Sequence, residues 1–108
     1  MNISRIADNY AVAPQIFPGD LDEIVAAGFR AVICNRPDHE ELGQPTVDAI
    51  SVECIRVGIS FHYIPVSGMQ IAHEAIQEQL RIIDECDGPV LAYCRSGQRS
   101  AIIWQAST

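Results

Sequence analysis

An apolar run that stops at a cysteine and continues as arginine, small residues and a second arginine leaves few folds open. The stretch is Gly88-Pro89-Val90-Leu91-Ala92-Tyr93-Cys94-Arg95-Ser96-Gly97-Gln98-Arg99-Ser100, followed by Ala101-Ile102-Ile103-Trp104. Gly88-Pro89 opens a buried strand, and the residues after Cys94 predict a tight loop running into a helix. Such a loop turns successive backbone N–H groups into a hollow at a helix N-terminus, where an anion is favoured. A cysteine there ionises more easily, and thiolate is the nucleophilic form. Arg95 and Arg99 add guanidinium groups that can grip an oxyanion with two hydrogen bonds. Gly97 supplies a backbone shape that a side chain would obstruct. An inert core cysteine would leave two arginines and a glycine in the next five positions unexplained.

The rest of the chain predicts alternating strands and helices. Ile3 to Ile6 and Tyr10 to Ala13 are β-like pieces around Asp8-Asn9, predicting an edge hairpin. Asp20 to Glu23 has the form of a capping box, with Asp20 as N-cap of a helix that Gly28 stops. Phe29 to Cys34 reads as a strand buried on both faces. A polar loop, Asn35 to Glu41, leads to a second helix opened by Pro45-Thr46 and ended by Gly58. Val47, Ile50, Val52, Cys54 and Ile55 form its apolar side. A strand over Ile59 to Val66 and a loop over Ser67 to Gln70 come next. A third helix, Ile71 to Asp87, carries a core-facing stripe of Ala72, Ala75, Ile76, Leu80, Ile83 and Cys86. This order favours a parallel sheet with helices on both faces and right-handed crossovers. The C-terminal ends of its strands share one edge, where ligands bind. That edge gathers Cys34-Asn35-Arg36, Ser67-Gly68 and Cys94-Arg95, so Arg36 joins the predicted anion site.

Composition narrows the partners. A chain of 108 residues with 48% apolar and 19% charged residues suits one compact domain. Its net charge of −7 argues against a nucleic-acid surface or an anionic membrane. The positive charge is local, which suits a small anionic substrate. No apolar run approaches a membrane span, and residues 1–8 lack the core of a signal peptide. Cys34, Cys54, Cys86 and Cys94 have no CxxC spacing, and His39, His62 and His73 have no metal spacing. The expectation is a cytoplasmic protein with reduced thiols and neither metal nor organic cofactor.

Several segments together resemble a known family. They are Gly19-Asp20-Leu21, Ala27 through Pro37, His62-Tyr63-Ile64-Pro65-Val66 and Tyr93 through Ser100. They are similar to bacterial phosphatase-like domains found alone or fused to metallo-β-lactamase-like hydrolases associated with sulfide oxidation. The wider relatives are the dual-specificity and tyrosine phosphatases. The resemblance implies a single phosphatase-like domain over 1–108. It implies an α/β fold of three layers, with a mostly parallel central sheet flanked by helices, as in dual-specificity phosphatases. It implies a cysteine-dependent phosphatase-like hydrolase in which Cys94 attacks phosphorus and Arg99 stabilises the transferring group. Arg95, Ser96, Gly97, Gln98, Ser100 and Arg36 would bind the substrate. A fused or partner metallo-β-lactamase-like enzyme is the implied partner. Wider relatives carry more helix after the loop, so the chain reads as a minimal or truncated version.

Three features depart from the phosphatase pattern. Four residues, not five, separate Cys94 from Arg99; Tyr93 stands where histidine is usual; and Val66-Ser67-Gly68-Met69 offers no aspartate as general acid. Lacking that acid costs an alkoxide leaving group roughly 10²–10⁴-fold in rate. Asp38, His39 and Glu40 are candidate replacements, with Asp38 first. The same loop is close to the persulfide loop of rhodanese-type sulfurtransferases, which need no such acid. The alternative substrate is therefore a sulfane-sulfur donor, with a persulfide on Cys94. A non-catalytic anion-binding module is the third reading. Cys34 could pair reversibly with Cys94 across the shared edge, although a core thiol suits its strand-end position better. Cys54, Cys86 and Trp104 read as packing residues.

Overall fold

The computed structural model describes residues 1–68 and 70–107. Met69, within the predicted Ser67 to Gln70 loop, and Thr108 lie outside the described residues. Strands β1 (Ser4–Ala7), β2 (Tyr10–Ala13), β3 (Ala31–Cys34), β4 (Ser60–Tyr63) and β5 (Val90–Tyr93) form one sheet of order β1-β2-β5-β3-β4. β1 is antiparallel to β2, and the other pairings are parallel. The helices are α1 (Leu21–Ala26), α2 (Val47–Val57), α3 (His73–Glu85) and α4 (Gln98–Ala106).

The period-two alternation of the strands builds three layers. Ala11, Ala13, Val32, Cys34, Leu91 and Tyr93 point to one face and meet Leu21 and Ile24 of α1 and Ile50 and Cys54 of α2. Tyr10, Val12, Ala31, Ile33, Val90 and Ala92 point to the other, against Ile82 and Ile83 of α3 and Ala101 and Trp104 of α4. Central β2, β5 and β3 are buried along their whole length, so they read as continuous apolar runs. Truncating Leu91 to Ala here would cost about 2–5 kcal/mol. Trp104 packs as predicted but only partly buried, stacked on Tyr10 with ring centroids 4.8 Å apart.

Several local expectations need correction. The N-terminal hairpin is not wholly at the edge: β1 is, but β2 pairs with both β1 and β5. Its residues Tyr10-Ala11-Val12-Ala13 carry no charge to keep a face wet. Asp20 does not cap α1 with its side chain; it ends a 3₁₀ turn, Pro18–Asp20, and its Oδ2 accepts from the Phe17 N–H at 2.9 Å. Thr46, not Pro45, is the boundary of α2: its hydroxyl accepts from the Ala49 N–H at 3.2 Å, and Pro45 lies outside the helix. Val52 and Ile55 of α2 are exposed, because the buried face of a helix this short is set by Ile50 and Cys54. α3 is shorter than predicted, and its buried positions are Gln79, Ile82 and Ile83. The stripe is turned toward Gln79, with Ala75 and Cys86 at its margin.

Candidate active site

β5 delivers Cys94 to the C-terminal edge of the sheet, and the chain turns at Ser96 and Gly97 into α4. Two bonds pin the turn to the segment after β2. The Cys94 N–H donates to the Ala13 carbonyl at 3.4 Å, and the Gln15 N–H donates to the Arg95 carbonyl at 3.2 Å. Gly97 sits at φ +93°, and a Cβ there would lie 3.4 Å from the Ala13 carbonyl carbon and oxygen. The left-handed conformation favours glycine here, and an added Cβ would just touch the Ala13 carbonyl.

This geometry sets the state of Cys94. The Gly97 N–H donates to its Sγ at 3.1 Å. Burial pushes the thiol up, but the Ser100 N–H and hydroxyl and the N–H groups of Arg99 and Ser96 outweigh it and hold Cys94 below the ordinary thiol value. Hydrogen bonds to a thiolate favour the charged form, and the start of α4 adds its dipole.

A buried polar network backs the turn. The Ser100 hydroxyl donates to Asn35 Oδ1 at 2.9 Å. Asn35 Nδ2 donates to Gln79 Oε1 at 2.7 Å and to the Ile64 carbonyl at 3.0 Å. Gln79 Nε2 donates to Asn35 Oδ1 at 3.2 Å and to the Tyr10 hydroxyl at 2.9 Å, and that hydroxyl donates to the Ser100 carbonyl at 2.8 Å. Asn35, Gln79 and Ser100 are 0% exposed, so each bond lies where an unmade one would cost about 1–3 kcal/mol. The network ties four elements to the first turn of α4. The Ser100 hydroxyl has one hydrogen, and Asn35 and Cys94 both draw on it.

In front of the turn is a cavity of about 320 Å³ lined by Arg36, Glu40, Glu41, Arg95 and Arg99. Three guanidinium groups face two carboxylates there. Glu40 lies between two of the guanidiniums. Its Oε2 accepts from Arg99 Nη1 at 2.7 Å, and its Oε1 accepts from Arg99 Nη2 and Arg36 Nε, each at 2.9 Å. The hydrogen bond from Arg99 holds the Glu40 carboxyl below its ordinary value.

The structure thus brings Cys94, Ser96, Gly97, Arg99 and Ser100 together. Arg95 lies at the rim, largely exposed, 4.0 Å from Glu41. Gln98 lines a different hollow, with Asn2, Ser4 and Val12, and only its backbone serves the turn, its N–H donating to Ser96 Oγ at 3.3 Å. Arg36 lines the cavity but is 2% exposed, and Glu40, Gln15 and Glu41 accept from its three nitrogens. Asp38, the first candidate acid, is turned away: its Oδ1 accepts from the Val47 N–H at 2.9 Å, at the start of α2. His39 is exposed, at φ +65°. Cys34 is a free thiol that donates to the Arg36 carbonyl at 3.1 Å. Sequence reasoning passed over Gln79 altogether, since a glutamine on an amphipathic helix reads as solvent-facing. Glu40 reads from the sequence only as a candidate acid; its pairing with Arg36 carries no sequence signal, because side chains four apart meet on helices and this segment is a loop.

Comparisons with known proteins address the family and the fold. The family model described as "Beta-lactamase hydrolase-like protein, phosphatase-like domain" matches residues 2–108. Beta-lactamase hydrolase-like proteins of Xylella fastidiosa and Agrobacterium fabrum are each 33% identical, over 99% and 96% of this chain and 25% and 24% of their own lengths. The chain thus spans about a quarter of these curated relatives. A solved structure of a candidate phosphatase from Neisseria meningitidis is 33% identical, with TM-score 0.88 over 96% of this chain and 74% of that one. The core catalytic domain of a PP-IP phosphatase from S. cerevisiae, 15% identical with TM-score 0.72 over 95% of this chain and 62% of that one, shares the fold. The mostly parallel sheet and its helices are those of the tyrosine and dual-specificity phosphatases. This chain belongs to the family of phosphatase-like domains of beta-lactamase hydrolase-like proteins.

Proposed function

We propose that residues 1–108 act as one domain that hydrolyses phosphate monoesters through Cys94 as a thiolate nucleophile. The observation that carries the reading is the convergence of the Ser96, Gly97, Arg99 and Ser100 donors on the Cys94 sulfur, which lowers its pKa despite burial. In the first step the thiolate attacks phosphorus, an S–P bond forms and the P–O bond to the leaving group breaks. In the second, water attacks the phosphocysteine, releasing phosphate and the thiolate. The N–H groups of the turn and the Arg99 guanidinium stabilise the oxygens of the transferring group in both. Among the carboxylates lining the cavity, Glu40 is held ionised, and Asp38 is engaged at α2. The leaving group therefore departs best as an anion that needs no proton, such as an acidic phenolate. The substrate class is a small aryl phosphate in preference to an alkyl one. A metallo-β-lactamase-like hydrolase, fused or separate, is the partner suggested by the relatives' names and greater length.

The test runs three substrates side by side on wild type and Cys94→Ser: an aryl phosphate with an acidic phenol, phosphoserine, and thiosulfate as a sulfur donor. The expected result is slow aryl phosphate turnover, hardly any phosphoserine turnover, and loss of both in the serine variant. The Cys-x₄-Arg spacing keeps sulfur transfer as the competing reading. Fast transfer from thiosulfate with negligible phosphate release would establish that reading instead. Anion binding with no turnover at all would leave an anion-binding module.

A further inference from the structure

Gln79 is the polar member of the buried stripe of α3, beside Ile82 and Ile83. It lies one turn from Ala75 and one turn from Ile83, where an apolar side chain would pack, and its burial is complete. Its whole amide is engaged. Nε2 donates to the Tyr10 hydroxyl at 2.9 Å and to Asn35 Oδ1 at 3.2 Å, and Oε1 accepts from Asn35 Nδ2 at 2.7 Å.

Two backbone carbonyls fix the direction of these bonds, because a carbonyl only accepts. The Ser100 carbonyl makes the Tyr10 hydroxyl a donor at 2.8 Å, which leaves that oxygen to accept from Gln79 and turns Nε2 toward it. The Ile64 carbonyl takes one hydrogen of Asn35 Nδ2 at 3.0 Å and Gln79 Oε1 takes the other, so Oδ1 must face Ser100. Turning either amide over would set acceptor against acceptor in a site closed to water. Neither amide can adapt when Cys94 changes charge.

Oδ1 of Asn35 thus has two donors, Gln79 Nε2 and the Ser100 hydroxyl at 2.9 Å. That hydroxyl has one hydrogen, and the Cys94 sulfur also draws on it. Were Ser100 the sole donor, swinging its hydrogen to sulfur would leave a buried amide oxygen unsatisfied. With Gln79 in place, Oδ1 keeps a donor throughout.

We propose that Gln79 is a positioning residue for the nucleophile: by keeping a hydrogen on Asn35 Oδ1, it frees the Ser100 hydroxyl to turn to the Cys94 thiolate. The proposal rests on the reading of Cys94 as nucleophile given above. It predicts opposite effects for two members of one network, which a packing role does not. Removing Gln79 commits the hydroxyl to Asn35 and raises the Cys94 pKa. Removing Asn35 takes away the competing acceptor and lowers it.

The test is the pH profile of Cys94 alkylation by iodoacetamide, read beside the melting temperature. Cys94 is faced by Arg99, which Glu40 holds, by Tyr10 of β2 and by Cys34 of β3. Burial holds Tyr10 and Cys34 above their ordinary values, so neither is charged while Cys94 titrates. Gln79→Met keeps the length of the side chain and removes its amide. Its alkylation midpoint should shift up, and its aryl phosphate rate should fall several-fold below that midpoint and recover above it. Asn35→Ala should shift the midpoint down. In a Ser100→Ala background, Gln79→Met should no longer move it, because there is no hydroxyl to release. Tyr10→Phe removes two bonds of the same network but leaves the Gln79 donor on Asn35, so it should lower the melting temperature and leave the midpoint in place. An unmoved or lowered midpoint in Gln79→Met overturns the proposal, as does a shift that persists without the Ser100 hydroxyl or a raised midpoint in Asn35→Ala. Should Gln79→Met fail to fold, the sign of the Asn35→Ala shift decides. A wild-type midpoint at or above the ordinary thiol value of 9.0 brings down the thiolate reading itself.

Discussion

Cys34 and Cys94 end adjacent parallel strands, and Cys34 lies in register with Tyr93, the residue before Cys94. Both are buried and both come after an apolar run. Their thiols nevertheless shift in opposite directions. Burial pushes Cys34 up, and its thiol donates to the Arg36 carbonyl. Cys94 is pulled down by the donors at the start of α4. The difference lies in the segment after each strand. Past β3 the hydrogen bonds from the Tyr93 side chain and the Arg36 backbone lower the Cys34 thiol but are too few to outweigh its burial. Past β5 it turns through a left-handed glycine into a helix, and the orphan N–H groups of that helix stabilise the thiolate. A cysteine at the ligand-binding edge of a parallel sheet is thus not a nucleophile by position alone.

The largest expected effect tests this contrast directly. Cys94→Ser should abolish aryl phosphate turnover, and Cys34→Ser should leave most of it. Comparable losses in both variants, measured as initial rates, would erase the distinction. Next in size is reactivity. The alkylation rate of Cys94 should rise with pH and level off below the ordinary thiol value of 9.0, while Cys34 should react only at higher pH. Peptide mass mapping after iodoacetamide treatment across pH assigns each rate, and equal profiles would refute the two environments. Ser100→Ala should then move Cys94 toward the behaviour of Cys34, raising its pKa as one donor to the thiolate is lost. The midpoint of the same alkylation profile reads that shift, and an unmoved midpoint would assign the Ser100 hydroxyl to Asn35 alone. Gly97→Ala forces a side chain into φ +93°. It should destabilise the fold by about 1–2 kcal/mol, read from denaturant unfolding, and an unchanged midpoint would show that the turn tolerates a Cβ.

The smallest effect is on alkaline stability. A thiol whose folded pKa is raised adds stability below its unfolded pKa, and that stability is lost as pH rises toward the folded value. Cys34 is raised from 9.0, so above pH 9 its ionisation in the unfolded chain favours unfolding. Cys34→Ala should flatten the fall of Tm above pH 9. Cys94, lowered, behaves in the opposite sense: its stabilising contribution is present above the ordinary value and is lost as pH falls through its folded pKa. A Cys34→Ala melt that falls as steeply as wild type would count against burial of that thiol.

The strand, turn and helix around Cys94 were legible in the sequence because their geometry is local. Gly88-Pro89 starts the strand, four apolar residues fill it, and Gly97 permits the turn that exposes the amides of α4. The alternation of strands and helices likewise required a parallel sheet, since parallel neighbours need crossovers. Packing settled which side chains meet. Val52 and Ile55 continue an apolar pattern along α2 and yet face solvent, because Ile50 and Cys54 take the space above the sheet. Gln79 is polar and yet fully buried, because Tyr10 and Asn35 supply the partners that offset its desolvation. Asp38 and Glu40 are two residues apart and chemically alike. A left-handed residue between them sends one to the start of α2 and the other between Arg36 and Arg99. The turn that lowers the Cys94 pKa is written into residues 94–100 themselves, because hydrogen bonds within a few residues define it. The carboxylate paired with Arg99 is written nowhere near it: Glu40 lies 59 positions earlier in the chain, and only the folded sheet edge brings the two together.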